Sequence, residues 1–471
     1  MSSAATGANA TTPMVELAVR ADAGSIVSEF GSADEALSGR GWAALTRDEA
    51  GAGAYGPGSP VEESVSETIT DVLTSGDAAL RRLARRYDGV ELGDIEVPPD
   101  QCARALEELD PPVRAALERA RRNIDAFHEA TRPRPVTVET EPGVVLSQEW
   151  DPLAKVGVYA PGGRAAYPSS VLMGVVPARV AGVEEVAVCS PPGPNGHPSG
   201  EVMAACALAG ADRLFALGGA GAIAAMAYGT ETVAAVDAIV GPGNAWVTEA
   251  KRQVQGRVRI DSLAGPSEAL VIADEGADPF LAALELVAQA EHDPEAACVL
   301  VTTSRDLAGA VERELASIVE RASRRDIVTA ALAARGGLVL AESTDEALAF
   351  ADWYAPEHMV VMAERADELI AAARPAAGTV FLGPHASVAF GDYLTGANHV
   401  LPTGRRAEVE SGLGTRDFMR SWTVQRVSRA AAARLASDTA ALAEAEGLPG
   451  HAEAARARLY DRGPTDHGEP A

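Results

Sequence analysis

The chain has 471 residues, about three times an ordinary domain, so two or more domains are expected. Hydrophobic residues make up 47% and charged residues 23%, which suits a soluble globular protein with a sizeable core. The 67 acidic against 40 basic residues leave a formal net charge of −27, a field that repels polyphosphate and argues against nucleic acid as a partner. Only two of the basic residues are lysine, Lys155 and Lys251. Surplus carboxylate with almost no lysine points to a salt-rich cytoplasm, where screening tolerates self-repulsion. GC-rich coding would replace lysine with arginine but does not explain the acid excess.

The first 13 residues are small and polar and are expected to be disordered. They lack the basic start and apolar core of a signal peptide, and residues 50–60 read as a Gly/Pro-rich linker. From Ser64 the pattern turns helical, with Val65, Ile69, Val72 and Leu73 on one face. Gly76 stops that helix, and Asp77 is placed to cap the next. A further helix starts at Asp110-Pro111-Pro112 and carries Val113, Leu117, Ala120, Ile124 and Phe127 on a stripe, with His128 beside it in a structural role.

From Lys155 short β-rich runs alternate with alanine-rich helices. Strands are predicted at 186–189, 213–217 and 236–240, each followed by a helix, at 201–209, 220–228 and 245–254. A second set follows, with strands at 269–272, 298–301 and 337–340 and helices at 279–292 and 305–321. Repeated β-turn-α units imply parallel sheets covered by helices, with ligands at the carboxyl ends of the strands. Beyond about residue 405 the chain reads as mainly helical, with a tail from 430 to 459. The longest uncharged run, 214–230, is too short for a membrane span and contains four glycines. Cys102, Cys189, Cys206 and Cys298 are too few and too scattered for a disulfide framework. The protein is expected to be soluble and cytoplasmic.

Four segments carry groups able to do chemistry. Gln289 and His292 share a helix face, which suits either a metal or plain surface polarity. Glu357-His358 follows a proline in a loop and offers two groups that move protons near neutral pH. Residues 391–399 form a glycine-punctuated loop with Asp392 and His399. His451 lies in the helical tail. The turns at Gly218-Gly219 and Gly241-Pro242-Gly243 open helices whose backbone N–H groups favour phosphates, but neither matches a GxGxxG dinucleotide fingerprint.

Taken together, these segments resemble the histidinol dehydrogenase family. The resemblance is carried, in order, by VGVYAPGG (156–163), YPSSVLMGVVPA (167–178), GPGNAWVTEAKR (241–252), AGPSEALVIAD (264–274), AQAEHDP (288–294), APEHM (355–359), GDYLTGANHVLPT (391–403) and AEGLPGH (445–451). It implies an α/β fold of two incomplete Rossmann-like domains with parallel sheets, plus N- and C-terminal helical extensions. The corresponding division is an extension at 1–59, a first domain at 60–158 with 266–405, a second at 159–265, and a helical tail at 406–471 that reaches a partner subunit.

The same resemblance implies oxidation of histidinol to histidine with two NAD, in a homodimer with one zinc per subunit and shared active sites. Zinc falls on Gln289, His292, Asp392 and His451, and the acid/base pair on Glu357 and His358. Substrate contacts fall on Ser267, Gln289, His292, His358, Asp392, Glu446 and His451, and NAD contacts on Tyr159 and Asn244. His399 matches a further active-site histidine. Gly221 departs from the pattern, since it replaces a glutamine that contacts NAD in the family. Competing readings are a zinc/NAD dehydrogenase of another polar alcohol, a metal-binding paralogue without turnover, and a zinc hydrolase.

Overall fold

The computed structural model describes residues 19–22, 56–162 and 166–459. The expected disorder of residues 1–13, linker residues 50–55 and Gly163 of the first motif lie outside these. Two compact units emerge: residues up to Thr131 with Leu153–Phe418, and Arg132–Pro152 with residues 419–459. Among the described residues no helix is long and apolar enough to cross a membrane, and all four cysteines are buried free thiols.

The larger unit contains two six-stranded sheets. In one, β5 (Lys155–Tyr159), β6 (Glu185–Ser190), β7 (Arg213–Ala216), β8 (Ala238–Val240) and β9 (Arg259–Ile260) run parallel, and β2 (Glu96–Val97) closes the β7 edge antiparallel. Helices α5 (Pro168–Ala181), α6 (Gly200–Ala209), α7 (Gly219–Tyr228) and α8 (Ala245–Val254) connect the parallel strands. The order β2-β7-β6-β5-β8-β9 reverses direction at β5, so the crevice of this sheet opens at the carboxyl ends of β5 and β8. Upstream helices α1 (Glu62–Ser75), α2 (Asp77–Leu83), α3 (Pro99–Glu108) and α4 (Pro111–Ala130) pack on α5–α8.

This grouping corrects the sequence-based division. Residues 62–130 and strand β5 were assigned with 266–405, but they build the other sheet, because β5 is its central strand between β6 and β8. Two local readings also change. Leu73, Val113 and Phe127 are exposed, and the buried face of α4 is Leu117, Ala120, Ile124 and His128. Asp77 does not cap α2. It accepts from the Thr230 and Thr232 hydroxyls, while the Glu231 carboxylate accepts the Asp77 N–H at 2.8 Å.

The second sheet has the order β1-β12-β11-β10-β13-β14 and is parallel throughout. Its strands are β1 (Val19–Asp22), β10 (Glu268–Ala273), β11 (Ala297–Thr302), β12 (Gly336–Leu340), β13 (His358–Met362) and β14 (Thr379–Leu382). Alternate residues serve opposite faces, as a pleated strand requires. Val271, Leu300, Leu338 and Val360 pack on α9 (Pro279–Ala290), α10 (Arg305–Arg321) and α11 (Arg325–Arg335). Leu270, Val299, Val339 and Val361 pack on α12 (Thr344–Tyr354) and α13 (Ala366–Ala373). The order reverses between β10 and β13, and α14 (Val388–Tyr393) follows the sheet.

The smaller unit adds a strand to the tail expected to be mainly helical. Strands β3 (Val136–Glu141), β4 (Val144–Pro152) and β15 (Met419–Val427) form an antiparallel sheet, with Met419 opposite Pro152 and Val427 opposite Val144. Helices α15 (Arg429–Ala445) and α16 (Pro449–Arg456) follow and pack on each other through Ala440, Ala443 and Ala452.

Candidate active site

In the larger unit one cavity of about 400 Å³ is lined from both sheets. Pro161 and the turn Pro242–Ala245 reach it from the carboxyl ends of β5 and β8. Ser267, Glu357 and His358 reach it from the amino ends of β10 and β13. The cavity therefore lies at the carboxyl ends of the strands in one sheet and at the amino ends in the other, whereas the expected ligand position was the carboxyl ends. The α9–β11 connection adds His292, and α14 with the segment after it adds Asp392, Tyr393 and His399.

His358 opens β13 and is 4% exposed. Its Nδ1 lies 3.1 Å from the Glu268 carbonyl oxygen, which can only accept, so the proton is on Nδ1 and the Nε2 lone pair is free for a substrate. Nε2 faces Asp392 Oδ1 at 3.7 Å. Burial drives the imidazole pKa down to about 3, which keeps the ring neutral at physiological pH. Glu357 Oε2 accepts the Glu268 N–H at 2.8 Å and lies 3.7 Å from His358 Nδ1.

Asp392 was read as part of a loop but lies on α14, a short helix capped by the Ser387 hydroxyl. Burial, with the Glu285 carboxylate nearby, raises its pKa to about 7. Its Oδ2 is 3.8 Å from His292 Nε2. Gln289, in the last turn of α9, is 1% exposed, and neither its Oε1 nor its Nε2 has a hydrogen-bond partner. A buried, unsatisfied amide is costly, and a cation held at Oε1 would relieve it. Among the described residues no three His, Cys, Asp or Glu side chains close into a metal site.

His399 is a brace as well as a lining residue. Its Nδ1–H donates to the Asp392 carbonyl at 2.9 Å, and burial lowers its pKa to about 4. Asn398 donates to the Met173 carbonyl, and Asn123 on α4 donates to the Leu394 carbonyl at 2.6 Å. Gly396 has φ +104°, and an added Cβ would sit 2.4 Å from the Asn123 carbonyl oxygen, so only glycine passes there.

Asn244 lines the cavity and caps α8 by accepting the Val247 N–H at 3.1 Å. Tyr159 lies deeper. Its hydroxyl oxygen accepts the Gly219 N–H at 3.0 Å, which leaves the O–H proton to donate. Gly221 lies in α7, where an added Cβ would come within 2.8 Å of Leu83 Cδ1, so a leucine tip abuts the place of the expected glutamine. Glu446 and His451 belong to the smaller unit, where both are exposed.

Residues of the 241–252, 264–274, 288–294, 355–359 and 391–403 motifs thus line one cavity in an α/β fold. A family model for histidinol dehydrogenase matches residues 57–459. The chain belongs to the histidinol dehydrogenase family. It is 50% identical over 400 residues to the histidinol dehydrogenase of Haloarcula marismortui, covering 85% of this chain and 94% of that one. It is 48% identical to that of Methanosarcina mazei, with 85% and 92% covered. The crystal structure of histidinol dehydrogenase from Elizabethkingia anophelis is similar with a TM-score of 0.83 at 33% identity, covering 88% of this chain and 96% of that one.

Sequence reasoning missed several residues that support the cavity wall. Glu268 bridges both acid/base residues, and its only sequence signal is its place beside Ser267 in the 264–274 motif. Lys251 and Asp261 were also missed. Lys251 Nζ donates to the Gly241 carbonyl at 2.5 Å and pairs with Asp261 Oδ1 at 2.6 Å, while Asp261 Oδ2 accepts the Gly241 N–H at 2.7 Å.

Proposed function

We propose that this chain oxidises L-histidinol to L-histidine through L-histidinaldehyde with two NAD, as a cytoplasmic, zinc-dependent homodimer with shared active sites. The observation that carries this reading is the meeting of Glu357-His358 with His292 and Asp392 in one cavity of a chain of this family. When bound, NAD supplies the hydride acceptor for both oxidations, and zinc supplies a Lewis acid that orients the substrate.

Gln289, His292 and Asp392 would hold the metal from this unit, with His451 of a partner completing the set. Asn244 and Tyr159 would meet the cofactor. Ser267 and Glu446 would meet the substrate, and a carboxylate at Glu446 suits a cationic amine. Neutral His358 takes the hydroxyl proton at Nε2 as the alcohol is oxidised, its orientation fixed by the Glu268 carbonyl. Glu357 then draws a proton from water as it adds to the aldehyde, and His358 again takes the hydroxyl proton of the hydrate. Hydration makes a cysteine nucleophile unnecessary. This fits the cysteines: Cys189, Cys206 and Cys298 are raised by burial, Cys102 is pushed up to about 11, and none lines the cavity.

A spectrophotometric assay of purified protein with histidinol, NAD and zinc tests the reading. Two NADH per histidinol are expected, with turnover lost on chelation and restored by zinc. His358→Ala slows both oxidations and Glu357→Gln mainly the second, each by about 10²–10⁴-fold. One NADH per histidinol, with aldehyde accumulating in solution, overturns it.

A further inference from the structure

We infer that Glu268 is the positioning residue that holds Glu357 and His358 in register with the 403–404 segment of the cavity wall. The inference rests on the acid/base reading above. Glu268 opens β10 directly beside the start of β13, where Ala269 faces His358. Four hydrogen bonds meet at this one residue. Its N–H donates to Glu357 Oε2 at 2.8 Å, and its carbonyl accepts His358 Nδ1–H at 3.1 Å. Its side-chain Oε2 accepts the Glu357 N–H at 3.3 Å, and Oε1 accepts the Gly404 N–H at 3.0 Å.

The division between backbone and side chain matters. The two backbone bonds set where the Glu357 carboxylate and the His358 ring point. The two side-chain bonds anchor that backbone, tying the start of β13 and the segment after Thr403 to β10. Thr403 lines the cavity, and its hydroxyl accepts the Gly265 N–H at 2.6 Å, so the strap is fastened on both sides of Glu268. Glu268 is 3% exposed and is absent from the cavity lining. A carboxylate accepts at both oxygens, whereas a glutamine must turn its NH₂ against one of the two backbone N–H groups. Glu268→Gln therefore keeps size and shape while releasing one end of the strap.

The test is a double-mutant cycle with Glu357→Gln, read in steady-state oxidation of histidinaldehyde. Glu268→Gln is expected to lower kcat by about 10²-fold with KM changed far less, since misplacing a reacting group by about 1 Å costs that much. In the Glu357→Gln background the same substitution should cost less, because one of the two groups it positions is gone. An unchanged kcat overturns the inference. So does an equal loss in both backgrounds, which marks a merely structural role. If Glu268→Gln does not fold, Glu268→Asp serves in the same cycle, since its shorter arm cannot reach both amides. Failure of the underlying reading looks different: Glu357→Gln itself would then leave aldehyde oxidation unchanged.

Discussion

His128 shows how a single buried side chain ties stability to pH. It lies on α4 at 1% exposure, its Nδ1 is 3.3 Å from the Thr415 hydroxyl, and its Nε2 has no partner. Burial lowers its pKa to about 4. In the unfolded chain the ring takes up a proton below about pH 6.5, but in the folded protein only below about 4. The unfolded state therefore binds more protons in this window, and stability falls as pH falls through it. At pH 5 the loss from this one group is about 2 kcal/mol relative to pH 8. Urea unfolding at pH 8 and pH 5 measures it. His128→Gln, which cannot titrate, should lose about that much less stability than the wild type across the interval. An equal loss in both proteins would mean that His128 does not carry the effect.

At the scale of the element, the turn between β8 and α8 depends on its own helix. Gly241 has φ +109°, and an added Cβ would sit 2.1 Å from the Tyr159 carbonyl oxygen. Lys251 reaches back from the last turn of α8 to the Gly241 carbonyl, and Asp261 holds both that ammonium and the Gly241 N–H. The pair is 3% and 4% exposed. Removing one partner strands a buried charge and costs about 3–5 kcal/mol, whereas replacing both by neutral groups is far milder. Lys251→Met is therefore expected to destabilise strongly and to raise KM for NAD, because the released turn Pro242–Ala245 lines the cavity. Lys251→Met with Asp261→Asn should recover much of the stability, so thermal unfolding of the two single mutants and the double mutant should be clearly non-additive. Additive losses would dismiss the clamp. The βα units around this turn were legible because their signals are local: a short apolar run, a glycine turn, then an alanine-rich helix. The third sheet was not. β15 pairs with β4 across residues 153–418, and only Met419 of its nine residues is buried, so no apolar alternation marks it. Glu268 was hidden for a related reason, since its role follows from strand register with a residue 89 positions away. Gln289, His292, Glu357 and Asp392 were placed by motif resemblance, which spacing alone left open.

For the whole molecule the dominant electrostatic fact is the excess of 27 negative charges. Two effects of added salt oppose each other. Screening weakens surface ion pairs such as Arg85–Glu91 and Arg104–Asp100, whose partners are well exposed. Such pairs contribute only about 0–1 kcal/mol each, so little is lost. Screening also relieves repulsion among the unpaired carboxylates, which is longer in range and works against the compact state everywhere at once. The Debye length shrinks from about 10 Å at 0.1 M salt to about 3 Å at 1 M, below the spacing of most surface charges. The second effect should therefore win, and the urea midpoint should rise between 0.1 M and 2 M KCl. Sucrose at matched osmolality provides the control, since it strengthens burial without screening charge. A KCl response no larger than the sucrose response would show that the acid excess is not an adaptation to salt. A larger response would assign the −27 charge to the conditions under which the fold is most stable.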